Sequence, residues 1–191
     1  MLNTASLLFS LISGLFLVNP LGTDLEGVQI SEMVGKWSTV VIGFHHERGG
    51  AYMNEIEVIQ PRQNTVQFSF EVITSMGEFT PNLTECKITL EQKSADKFLL
   101  SADSDSWLSF KSAPLTYSDE IAPSSVFKQS SSEAGKSIYG SVQKSFSENG
   151  NTIQATVFIR IARMNEGKYE WAFVMMDENS NAYYECRFDL E

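Results

Sequence analysis

Two stretches decide the fold: Tyr52-Met53-Asn54-Glu55-Ile56-Glu57-Val58 and Val66-Gln67-Phe68-Ser69-Phe70-Glu71-Val72. Tyr52, Asn54, Ile56 and Val58 alternate with Met53, Glu55 and Glu57, and Val66, Phe68, Phe70 and Val72 alternate with Gln67, Ser69 and Glu71. A period of two sends successive side chains to opposite faces, so each stretch reads as a strand with one face turned to a core. Working outward, the same reading marks strands at 36–44, 83–90, 96–101, 105–110, 138–147, 153–163, 168–176 and 182–190. Gly49-Gly50, Asn149-Gly150-Asn151 and Asn165-Glu166-Gly167 supply residues that accept positive φ in tight turns. Only antiparallel neighbours can be joined so briefly. Short strands in such a run form a sandwich or a closed barrel, and closure leaves no exposed edge. The expected fold is therefore all-β, a closed antiparallel up-and-down β-barrel of about eight to ten strands. In front of it, Thr23-Asp24-Leu25-Glu26 has the form of a capping box and predicts a short N-terminal helix ending before Gly35. The stretch 112–137, with Pro114, Pro123 and eight serines, reads as a long polar loop within the domain.

The chain has 191 residues, 42% in the hydrophobic set and 20% charged, which suits one compact domain. Its 14 basic and 24 acidic side chains leave a net charge of −10, and a nucleic-acid partner would have to bind against that field. Residues 1–22 carry no charged side chain, and Leu7 to Val18 is an apolar run too short for a membrane span, ahead of Asn19, Pro20 and Gly22. That pattern predicts a signal peptide over 1–22, a domain over 23–191 and a secreted product with no membrane span.

An oxidising destination favours pairing the two cysteines, Cys86 and Cys186, in a disulfide. The bridge would constrain the unfolded chain by up to about 4 kcal/mol. The sequon Asn82-Leu83-Thr84 fits the same compartment and predicts a glycan on Asn82. His45 and His46, the two histidines, stand beside Glu47 at the rim of the first hairpin with no further ligand at zinc-site spacing, so no metal is expected. Nor is there a Gly-x-Ser-x-Gly elbow to build a triad around them. The expectation is no enzyme, no catalytic residue and no cofactor.

Gly35-Lys36-Trp37, opening the first strand, resembles the Gly-x-Trp motif of the lipocalins. The stretch from Tyr169 to Asp177, continued by Asn181-Ala182-Tyr183-Tyr184-Glu185-Cys186-Arg187, is similar to the lipocalin segment in which a strand ends at a Thr-Asp-Tyr, turns, and returns toward a Cys. Asp177 stands at the motif's Asp, with Met176 and Glu178 in place of its usual neighbours. The resemblance is to an outlying lipocalin or a related calycin-type barrel. It implies that Gly35, Trp37, Asp177 and Arg187 are structural, with the Arg187 guanidinium packed over the Trp37 indole.

The inward aromatics can line a ligand cavity or fill a core, since both use the same face. With secretion and the family resemblance, the expected function is a binding or transport protein for a small hydrophobic ligand such as a fatty acid, sterol or retinoid-like molecule. Tyr52, Asn54, Phe68, Phe70, Trp171 and Phe173 are the expected wall. The alternative is a barrel with a filled core that binds a protein partner through the loop 112–137. Glu55, Glu57 and Glu71 face outward and read as solvated surface.

Overall fold

The computed structural model describes residues 27–45, 48–76, 80–118, 126–127, 135–148, 150–179 and 181–190. Ten strands run β1 Gly35–His45, β2 Arg48–Arg62, β3 Thr65–Met76, β4 Pro81–Ser94, β5 Lys97–Ser104, β6 Phe110–Thr116, β7 Ile138–Glu148, β8 Asn151–Arg163, β9 Tyr169–Asp177 and β10 Ala182–Leu190. Each pairs antiparallel with its neighbours in the chain, and β1 pairs with β10 to close the barrel. The expected all-β up-and-down barrel is present.

Alternation sets the wall as the sequence implies. On β1 the odd positions Thr39, Val41 and Gly43 are buried and the even positions Lys36 to Phe44 are exposed, in register with β2 from Gly35–Val58 to His45–Arg48. Inside lie Val66, Phe68, Phe70 and Val72 of β3, Ile88 and Leu90 of β4, Val157, Ile159 and Ile161 of β8, and Trp171 and Phe173 of β9.

Three expectations about elements are corrected. Among the described residues the short N-terminal helix is not formed: in its place stands a four-residue 3₁₀ turn, Ile30–Met33, with no side-chain cap. Val28, Ile30 and Met33 are all buried there, so the segment plugs the barrel end instead of laying an amphipathic face along it. Thr23 to Glu26 and the proposed cleavage site lie outside the described residues. The strand expected at 105–110 is mostly a loop, and β6 begins at Phe110 and runs into the stretch read as polar loop. Pro114 is tolerated in it because β6 ladders with β5, where Pro114 stands opposite Leu99, and has only the single pair Thr116–Tyr139 with β7. The β6–β7 approach is close where it occurs: a Cβ on Gly140 would lie 2.5 Å from the Pro114 carbonyl oxygen.

The disulfide is not formed. Cys86 and Cys186 are free, buried thiols. Cys86 on β4 stands between Phe70 of β3 and Ser104 of β5, and Cys186 on β10 between Gly43 of β1 and Phe173 of β9, so β3, β2 and β1 separate them along the wall. The Cys86 thiol is turned to the Leu108 carbonyl oxygen at 3.4 Å, not to its expected partner.

Candidate functional site

The expected ligand wall is a cluster of rings in mutual contact. Phe68 stands edge-on to Trp171 at 5.1 Å between centroids and to Phe188 at 6.0 Å. Phe70 meets Phe188 at 4.6 Å and Phe173 at 6.3 Å, and Trp171 stacks on Phe188 at 6.0 Å with an interplanar angle of 7°. All five are buried. Phe68 and Phe70 come from β3, Trp171 and Phe173 from β9, and Phe188 from β10, so the contacts cross the interior and do not merely follow the wall. Edge-to-face and offset-stacked pairs at these distances each add about 0.5–1.5 kcal/mol beyond the burial of their area. Four of the six expected wall residues are thereby brought together. Phe188 was missed, although its place on the inward face two residues after Cys186 was readable by the same period.

Tyr52 and Asn54 stand apart from the rings. Tyr52 is half-buried and donates to the Glu71 backbone carbonyl, and burial, with Cys186 and Glu71 nearby, raises its pKa well above the ordinary tyrosine range. The Asn54 Nδ2 is buried with no hydrogen-bond partner, as is the Trp171 Nε1 in the ring cluster.

Both ends of the barrel carry side chains. At the end where β1 finishes and β2 begins, the Tyr184 ring lies between His45, at 4.5 Å, and Trp107, at 5.3 Å, both nearly parallel to it. Trp107 comes from the loop between β5 and β6, and its Nε1 donates to the Ile73 carbonyl at 3.0 Å. Lys144, half-buried on β7, holds that loop: its ammonium donates to the carbonyl oxygens of Ser106, Trp107 and Ser109 at 3.3, 2.6 and 3.1 Å. Burial lowers the Lys144 pKa. At the opposite end the Trp37 Nε1 donates to the Met33 carbonyl at 2.9 Å, and the Tyr169 hydroxyl donates to Glu32 at 2.9 Å. Arg163 grips the same carboxylate at 2.9 and 3.2 Å. Gly35, at φ 149°, lets the chain turn from this plug into β1.

The residues carried by the family resemblance divide. Asp177 closes the β9–β10 hairpin: its Oδ1 accepts from the backbone N–H of Asn179 at 2.9 Å and of Asn181 at 2.7 Å, and its Oδ2 accepts from the Asn181 amide at 3.0 Å. These bonds, that of the Asn181 side chain first, lower its pKa. Arg187 does not reach Trp37. It pairs across the ladder with Ile42, five residues beyond Trp37 on β1, and parity turns it outward, where it binds Glu185 and donates to the Val126 carbonyl at 3.2 Å. Val126 and Phe127, from the stretch expected to meet a partner, are buried against Tyr139, Ala172 and Val174 on the outside of β7 to β9. Asn82 is exposed on β4 and donates to Ser75 Oγ at 2.5 Å. His46 and Glu47 lie outside the described residues.

No protein-family model matches this sequence, and no curated protein matches it. Among the described residues, no helix is long and apolar enough to cross a membrane.

Proposed function

We propose that this chain is a secreted, non-enzymatic β-barrel that binds a protein partner with the outside of the barrel around a filled core. The observation that carries this reading is the five-ring cluster of Phe68, Phe70, Trp171, Phe173 and Phe188, which stands where a cargo would have to lie. A close-packed interior gives up contacts on every ring when it is pried apart, so a guest must repay that loss before it gains anything. The apolar run Leu7 to Val18 and the Asn82 sequon support export.

A second reading, the carrier of a small hydrophobic ligand, draws on the Gly35-Lys36-Trp37 resemblance and on two donors, Asn54 Nδ2 and Trp171 Nε1, that have no acceptor. Buried donors are nearly always paired, and an acceptor on a ligand would satisfy them. Titration with an environment-sensitive fatty-acid probe separates the readings. The filled-core reading expects no saturable uptake. Stoichiometric uptake that Phe70→Arg abolishes would overturn it and establish the carrier.

A further inference from the structure

The outside of the barrel is covered unevenly. Over β7 to β9 its apolar side chains are roofed by Val126 and Phe127. On β1 and β2 they are bare: Val40 is 46% exposed, Ile42 41%, Phe44 38% and Met53 71%. The register puts Met53 directly beside Val40, with Ala51 beside Ile42, so these side chains form one continuous strip. An apolar strip left open on one flank while the other is roofed marks an interaction surface more than chance surface composition does.

Beside the strip runs a row of carboxylates that the fold does not require. Glu71 and Glu85 stand directly opposite each other on β3 and β4, an arrangement that repels across a ladder. Glu55 and Glu57 lie on β2, the neighbour of β3 in the wall, and Glu55, Glu57, Glu71 and Glu85 are all exposed. A recess of about 360 Å³ opens at the junction of strip and row, lined by Trp37 and Ile56 together with Lys36, Ser38, Glu55 and Glu57.

We infer that the outer face of β1 and β2 docks a cationic amphipathic segment of another protein, its apolar side chains on Val40, Ile42, Phe44 and Met53 and its basic ones over Glu55, Glu71 and Glu85. Charge complementarity selects this occupant. A second copy of this chain would bring a net charge of −10 and another acidic row to the same face, and an anionic lipid surface would be repelled by both. The inference rests on the outward-binding reading and names its surface. The two fail separately, because probe uptake into the core overturns the reading, whereas the following titration tests the surface.

A fluorescein-labelled amphipathic Leu/Lys peptide is titrated with the intact protein and followed by anisotropy, beside a scrambled peptide of the same composition. Saturable binding is expected, weakening as salt rises, with the scrambled peptide at least about tenfold weaker. Ile42→Ser and the double variant Glu71→Gln, Glu85→Gln should each weaken it by about tenfold. The glutamine variant should unfold no earlier than wild type, because it removes a repulsion, so its loss of binding is not a loss of fold. Equal binding by both peptides, or by wild type and both variants, would overturn the assignment. It is overturned equally if the wild type associates with itself, or is recruited to phosphatidylcholine vesicles, in a manner that Ile42→Ser abolishes.

Discussion

Phe188 touches Phe68, Phe70, Trp171 and Phe173, more rings than any other member of the cluster, and is 2% exposed. Phe188→Ala should cost about 3–5 kcal/mol in urea unfolding, as for large core aromatics elsewhere. The thiols make a second prediction. Burial pushes the Cys86 pKa up to about 12 from an ordinary value of 9.0, and raises that of Cys186 as well. Both should be inert to a thiol reagent near neutral pH in the folded protein and react fully once it unfolds. Because the folded thiols hold their protons more tightly than the unfolded ones, the associated stability is complete below pH 9.0 and is lost as pH rises toward about 12, which an alkaline unfolding series would show. At this scale the inward face was legible: Phe68, Phe70, Trp171 and Phe173 followed from period two alone. Their meeting across the interior was not, because it depends on the curvature of the closed wall. Arg187 was misplaced because a motif position says nothing of register, and one step from Cys186 turns a side chain to the other face.

Among the elements, the loop between β5 and β6 draws three of its carbonyl hydrogen bonds from one side chain, Lys144. All three Lys144 donors are spent on its carbonyls, at a place where β6 and β7 share only one ladder pair. Lys144→Met keeps the side-chain length and removes the donors, leaving three carbonyls to find water. A loss of about 1–3 kcal/mol is expected, and amide exchange in 105–110 should quicken before that of β3 or β8. Protection unchanged in that segment would mean that the Trp107 contacts suffice without the lysine. Most strands were legible to within a few residues, but β6 was not: Pro114 and its serine-rich surroundings carry the composition of a loop, and only pairing to β5 makes it a strand. The N-terminal turn was misread for a related reason. A capping pattern reports local preference, whereas Val28, Ile30 and Met33 are held by the barrel end they close.

Across the whole molecule, closure was foreseeable from strand number and brief connections, and its seam from the order of the chain. What covers the outside was not, since Val126 and Phe127 sit in a stretch whose composition gives no hint of a roof, and the bare strip on β1 shows itself only by contrast with it. The single pair Thr116–Tyr139 has a consequence for the chain as a divisible object. The barrel is sewn shut between its first and last strands, with Ile42 to His45 laddered to Arg187 to Tyr184, while its weakest lateral junction falls where a cut would be made. Severing the backbone between Ser118 and Gly135 would leave a six-strand piece and a four-strand piece that still own complementary edges at β1 and β10. The two fragments, produced separately and mixed, should recombine into one barrel with the far-ultraviolet spectrum of the intact chain, and Ile42→Pro, which removes a backbone donor from β1 and fixes its φ within the strand that forms the seam, should prevent it. A protein divisible in this way can report on whatever brings its halves together.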